Sequence, residues 1–337
     1  MNFETGQNVD DQHQAVRKPV AGQMNGEPGA SESGQINLNI GGAGAGRASQ
    51  RFPGMEDVEN YSAEQIRPHV TTHMIIGNQE SAEEGEGQLL EAWVASYPQK
   101  AKEVSRDGYL ERIIGTDDRV LIRDTRPIPW KNICQLTIQA KNGRRYLGTG
   151  WLVSPRTLIT AGHNLFLHNA GGWAQSITVT PGMNGTSTPF GSCQATDLRS
   201  VSGWVNSRTE DSDYGAIILP RDCRINMGNP QAYFQLAEAT ADLVRGMYLN
   251  ISGYPGDKGG RTQWFHARPV GRLTNRRIYY DIDTMGGHSG SPVFFRHSSG
   301  ARVAVGIHTY GGATENSGTR FIRPILDNLI RWRDEGR

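Results

Sequence analysis

A heptapeptide, Gly286-Gly287-His288-Ser289-Gly290-Ser291-Pro292, constrains this chain more than any other stretch. It lies between two strand-like runs, Ile278–Ile282 and Val293-Phe294-Phe295, so the backbone must turn here between strands. Glycines around one serine permit backbone angles closed to other residues. Such a turn holds the Ser289 hydroxyl outward and can aim the N–H groups of Gly287 and Ser289 at one point beside it. A serine hydroxyl is a weak nucleophile without a base, and the carbonyl it attacks needs donors for its developing charge. The glycines suggest the donors, and the rest of the chain must supply the base.

Upstream, Gly150-Trp151-Leu152-Val153, a Ser154-Pro155-Arg156 turn and Thr157-Leu158-Ile159-Thr160 read as a β-hairpin. It ends in Ala161-Gly162-His163, which puts an imidazole where a side chain leaves a sheet. Alone, His163 reads as an ordinary surface or core histidine. A third piece, Asp211-Ser212-Asp213-Tyr214, opens the apolar run Gly215–Leu219. An aspartate there is a turn residue, or an acid buried beside the histidine to fix its tautomer. Asp213, closer to the apolar run, is the better candidate, with Asp211 as the fallback.

The order His163, Asp213, Ser289 matches the chymotrypsin arrangement. In the α/β-hydrolase plan the acid and the histidine follow the serine, and the serine turn leads into a helix. Here only His297 and His308 follow as bases, Ser291 stands where that motif has glycine, and the next residues read as strand.

At these residues the chain resembles the chymotrypsin-like serine endopeptidases, and within them the glutamyl endopeptidases of the bacillus and staphylococcal V8 branch. The stretches that carry the resemblance are Ile114–Arg119, Thr149–Leu152, Thr160–His163, Asp213–Ile217, Ile251–Lys258, Asp283–Val293 and Gly318–Arg320. It runs from about Ile113 to the C-terminus and implies an all-β fold of two antiparallel six-stranded barrels with a C-terminal helix. His163 and Asp213 would come from the first barrel and Ser289 from the second. His163 would act as general base and acid, Asp213 as its orienter and Ser289 as nucleophile, with Gly287 and Ser289 amides as the oxyanion hole. Many relatives have a cysteine after the histidine; Asn164 stands here, so the disulfide that would staple that loop is absent.

The resemblance places Thr284 and His308 in the pocket for a glutamate carboxylate, where a hydroxyl and an imidazole can donate two hydrogen bonds. Asp283 also falls among the substrate-binding positions and complicates this reading. In trypsin-like enzymes an acid there selects Arg or Lys, and it would repel a glutamate. A glutamate-selective endopeptidase is the leading expectation. A trypsin-like endopeptidase and a non-catalytic binding module on the same scaffold are the alternatives.

The 337 residues exceed one typical domain. Three regions differ in character. Residues 1–51 are polar, with a Gly/Ala run at 41–46, and are expected to be a disordered leader. Residues 52–112 are richer in charge, with an expected short helix at Leu89–Val94, and read as a propeptide. Residues 113–337 alternate apolar runs with turns and form the expected protease domain. Cleavage at Glu111–Arg112 or Arg112–Ile113 would release a new N-terminus that completes the substrate site. The protein's own propeptide is therefore an expected partner, beside protein or peptide substrates.

A net charge of +1 with no basic cluster points away from nucleic acid, and no apolar stretch approaches membrane-spanning length. A monomer is expected. The family resemblance implies secretion, although Met1–Val20 has no apolar signal core. The 3 cysteines allow one disulfide at most, with Cys193–Cys223 the first pair to test and Cys134 left over. The chemistry needs no cofactor, and no cysteine–histidine spacing suggests a metal site.

Overall fold

The apolar runs between turn residues become twelve strands of four or more residues, in two curled antiparallel sheets. The computed structural model describes residues 9–19, 54–56, 90–91, 113–114, 116–223, 225, 227, 233–312 and 314–337. The first sheet holds β1 (Ile133–Gln139), β2 (Arg145–Leu152), β3 (Thr157–Thr160), β4 (Ser176–Pro181), β5 (Asp197–Val201) and β6 (Gly215–Ile218). Their order is β5-β6-β3-β2-β1-β4. The second holds β7 (Tyr248–Gly253), β8 (Trp264–Pro269), β9 (Arg277–Tyr280), β10 (Pro292–Arg296), β11 (Arg302–Tyr310) and β12 (Asn316–Arg320). Their order is β9-β12-β11-β10-β7-β8.

Three short strands join each sheet and bring its total to nine. Ala15–Arg17, Leu90–Glu91 and Cys193–Ala195 extend the first, and Val120–Leu121, Gln235–Leu236 and Arg272–Leu273 the second. The expected six-plus-six architecture is thus met by the long strands.

β3 and β6 are buried along their whole length. The helix Arg323–Glu335 covers their outer side, turning Ile325, Leu329 and Trp332 inward at helical spacing. Pro324 is tolerated there because it sits in the first turn, where its missing N–H has no partner to lose. Trp151 of β2, Phe234 and Phe294 of β10 pack edge to face with centroids 5.2 and 5.1 Å apart, joining the two sheets through one apolar cluster. Cys193 and Cys223 form the disulfide, and Cys134 is a buried free thiol. Among the described residues no helix is long and apolar enough to cross a membrane.

Two local expectations change. Within the leader expected to be disordered, residues 9–19 form a short helix, Val9–Gln12, and a strand, Ala15–Arg17, on the edge of β5. Composition read the leader as polar; an exposed sheet edge supplies the backbone partners that composition cannot show. Leu90–Glu91, inside the expected helix Leu89–Val94, is extended and pairs parallel with Tyr146–Leu147 of β2. The rest of that expected helix, the Gly/Ala run at 41–46 and the bond at Glu111–Arg112 lie outside the described residues.

Candidate active site

The first barrel brings His163 and Asp213 together through strand register. β3 and β6 pair antiparallel with Gly215 opposite Thr160. His163, three residues past Thr160, and Asp213, two before Gly215, therefore leave the sheet at the same end. His163 rides a single 3-10 turn, Gly162–Asn164. Asp213 clasps it twice: its Oδ1 accepts the His163 backbone N–H at 2.8 Å, and its Oδ2 lies 2.7 Å from His163 Nδ1. Asp211 sits one turn away on Glu210–Ser212 and makes no such contact. Gly162 has to be glycine, because a Cβ there would press on Trp204 at 2.9 Å and on Asp213 Oδ1 at 3.1 Å. The Trp204 indole lies edge-on to His163, centroids 6.2 Å apart.

The serine turn is held from both barrels. Ser289 O accepts the Thr149 N–H of β2 at 3.0 Å, and Thr149 Oγ1 donates to Gly287 O at 2.7 Å. On the other side Gly290 N–H donates to His308 O at 2.8 Å, and His308 N–H to Ser291 O at 2.9 Å. Gly287 and Gly290 both have φ in the left-handed region, at 98° and 92°, which glycine alone adopts without strain. Gly290 also leaves no room for a Cβ, which would lie 2.7 Å from Asn164 Nδ2 and against the Thr149 carbonyl. The chain continues from the turn into β10, as strand, contrary to the α/β-hydrolase plan.

Asn164 joins the two halves. Its Nδ2 donates to Thr160 Oγ1 at 2.8 Å and to Ser289 O at 2.9 Å, so the residue after His163 holds the serine turn directly. Reading its position as an unstapled loop missed this: an amide brace ties the loop to the serine turn. His163 Nε2 is buried and makes no hydrogen bond.

Thr284 and His308 lie beyond the serine turn, both fully buried. Thr284 Oγ1 makes no hydrogen bond, while His308 Nδ1 lies 2.8 Å from the Tyr280 hydroxyl. Asp283 is otherwise engaged. Its oxygens accept the backbone N–H groups of Ile114 at 2.7 Å and Asp118 at 3.0 Å. Its own N–H donates to His266 Nδ1 at 2.8 Å. Burial pushes the Asp283 carboxyl above its ordinary range, and the two amides pull it back. Burial also pushes His266 down to about 4, with Arg268 adding to the effect. His288, inside the serine turn, is held well below its ordinary value by burial, then by Arg119 and His308.

Asp118, His266 and Asp283 come close enough to hold a metal ion. Most of their donor atoms are already committed: Asp118 pairs with Arg268 at 2.5 Å, Asp283 with two amides, and His266 Nδ1 with the Asp283 N–H, while His266 Nε2 is buried without a hydrogen bond.

The segment that reaches Asp283 is anchored by charge. The Arg119 guanidinium, with a fully buried side chain, bonds Asp117 at 2.8 Å and Asp257 at 2.5 Å, and Lys258 reaches Asp117 at 3.1 Å. Burial works against the Asp117 carboxylate, but Arg119 and Lys258 outweigh it and hold the group well below its ordinary range. This gives the Gly256-Asp257-Lys258 motif a structural role, and Gly256 N–H closes on Gly286 O at 2.6 Å.

A family model described as a trypsin-like peptidase domain matches residues 148–306. The glutamyl endopeptidase of Bacillus licheniformis is 38% identical over 232 residues, covering 67% of this chain and 70% of the relative. A Bacillus subtilis protein named extracellular metalloprotease is 36% identical over 224 residues, covering 66% of this chain and 70% of its own length. Among solved structures, a Glu endopeptidase in complex with MPD superposes with a TM-score of 0.57 at 28% identity, over 66% of this chain and 99% of that one. With its two-barrel fold and these relatives, the chain belongs to the trypsin-like serine endopeptidases, on the glutamyl endopeptidase branch.

Proposed function

We propose that this endopeptidase works through His163, Asp213 and Ser289 and cleaves after glutamate. The double clasp of Asp213 on His163, with Asn164 tying that turn to Ser289, carries this reading. Asp213 accepts the Nδ1 proton, which leaves Nε2 as the basic nitrogen. His163 Nε2 takes the Ser289 proton as Oγ attacks the substrate carbonyl, and the Gly287 and Ser289 amides receive the oxyanion. The protonated His163 then gives its proton to the leaving amine. In the second half-reaction water, with His163 again as base, releases the acid from the acyl-enzyme.

Thr284 and His308 form the pocket for the substrate carboxylate. With the Tyr280 hydroxyl donating to His308 Nδ1, the ring proton sits on Nε2 and can be donated. Aspartate, one methylene shorter, is expected as a poorer substrate. Asp283 faces the amides of the 113–118 segment, so it does not oppose this preference; for the same reason a trypsin-like preference has less support. The substrates are proteins or peptides, taken to be met outside the cell.

The chain is a precursor. In full length, His163, Thr284, His308 and Ser289 are all 2% exposed or less, and Leu90–Glu91 lies along β2 two residues from Thr149. Cleavage at Glu111–Arg112 or Arg112–Ile113 would free an N-terminus within two residues of Ile114, whose amide already meets Asp283. The deciding experiment uses peptides with Glu, Asp, Arg or Phe before the scissile bond, beside Ser289→Ala and N-terminal sequencing. Ser289→Ala should lose about four to six orders of magnitude in kcat. A Ser289→Ala protein as active as the parent would overturn the nucleophile. Cutting after Arg with Glu peptides intact would overturn the pocket, and full activity of an uncut chain would overturn the precursor.

A further inference from the structure

Two short pieces of the N-terminal 56 residues are built into the body of the protease, one on each barrel. On the first barrel, Ala15–Arg17 pairs antiparallel with Arg199–Val201 of β5. The ladder continues on both sides, with Ser202 N–H donating to Gln14 O at 2.8 Å and Lys18 N–H to Leu198 O at 3.0 Å. Side chains lock it: Arg17 is bidentate on Asp197 at 3.0 and 3.1 Å, and Lys18 Nζ donates to Gln175 O at 2.7 Å.

His13 is buried beneath this strand, its Nδ1 3.1 Å from the Tyr214 hydroxyl, next in sequence to Asp213. Asn328 of the C-terminal helix donates to both His13 O and the Tyr214 hydroxyl, at 2.8 and 2.9 Å. Gly203 is bare where the leader crosses it, since a Cβ there would lie 2.8 Å from Gln12 O. Ala15 packs against the same apolar cluster as Trp204, the indole beside His163.

On the second barrel, Arg296 N–H at the end of β10 donates to Gly54 O at 2.9 Å. Asn250 accepts from Glu56 N–H at 2.9 Å and donates to Gly54 O at 2.7 Å. The Glu56 carboxylate is buried against Arg302 in a two-oxygen pair. Undocking would take the Glu56 carboxylate from the largely buried Arg302 guanidinium, and removing one partner of such a pair is costly.

We propose that the leader is retained: after scission near residues 111–113 the segments 9–19 and 54–56 stay docked as a second chain that spans both barrels. The cut itself rests on the precursor reading above; the docking does not. Amide exchange on the uncut full chain tests the docking first. Val16 faces Ser200 in the hydrogen-bonded register, so the Val16 and Lys18 amides should exchange as slowly as those of β5. Exchange at the rate of an unstructured peptide would overturn the proposal.

The chain is then cut in the 92–112 stretch, by its own activity or by added trypsin, and passed over a sizing column. Mass spectrometry of the protease peak should find the leader at one copy per body. A fully active body that elutes without it would overturn the proposal. Val16→Pro, which removes a ladder donor, and Arg17→Asp, which reverses an exposed pair without touching the core, should each speed leader loss about tenfold or more. Unchanged retention in both would overturn the assigned contact. An uncut chain that is already fully active refutes the precursor reading, while slow Val16 exchange would still support the docked leader.

Discussion

At the residue scale the informative side chains are those whose partners lie on another element. Asn164 donates to Thr160 and Ser289 across the two barrels, in place of a covalent staple. Asn164→Ala should lower stability by about 1–3 kcal/mol, read from urea midpoints, because the buried Ser289 carbonyl loses one of its two donors and the Thr160 hydroxyl loses the Asn164 donor. Its kcat should fall with KM little changed, since the brace positions the serine turn and does not touch the substrate. Thr284 is the simplest probe of the pocket. Thr284→Val keeps the shape and removes the hydroxyl, so kcat/KM for glutamyl peptides should fall by about tenfold to a hundredfold, with little effect on stability. A Thr284→Val enzyme that cleaves after Glu as the parent does would remove this residue from the pocket.

At the element scale the serine turn and the segment near 113–119 set the behaviour. Gly290→Ala should abolish activity and lower the melting temperature, because it combines a φ of 92° with a Cβ pressed on Asn164 and the Thr149 carbonyl. β8 itself carries a pH dependence through His266, whose imidazole burial pushes down to about 4 from an ordinary 6.5. In that window the unfolded chain binds a proton that the folded chain resists. Its contribution to stability is therefore complete above pH 6.5 and is lost as pH falls toward 4, a change on the order of 3 kcal/mol. Urea midpoints between pH 4 and 7.5 should show this fall, and His266→Gln should flatten it.

At the scale of the whole molecule, barrels meet through shared aromatic packing and through charges that tie separate stretches together. Arg119 links Asp117, near the start of the protease domain, to Asp257 in the second barrel. Arg119→Met should destabilise by about 2–4 kcal/mol, because two carboxylates lose a buried cation. It should also loosen the Ile114–Asp283 contact, visible as faster exchange at the Ile114 amide. The leader strand on β5 and the Glu56–Arg302 pair at the start of β11 extend the same logic to residues 15–17 and 56.

The sequence determined the strand–turn–strand around Ser289, the hairpin leading to His163, the order of the three site residues and the β architecture. Each of these rests on local chemistry: glycine at left-handed turns, apolar runs of strand length and turn residues between them. The tertiary structure decided which acid meets the histidine, because only the register of Gly215 opposite Thr160 brings Asp213 to it and leaves Asp211 aside. It also decided that Asp283 faces backbone amides, that Asn164 braces the serine turn, and that part of a polar leader is a strand. Those outcomes depend on partners 50 or more residues apart, and a contact of that kind leaves no period or composition in the chain on either side of it.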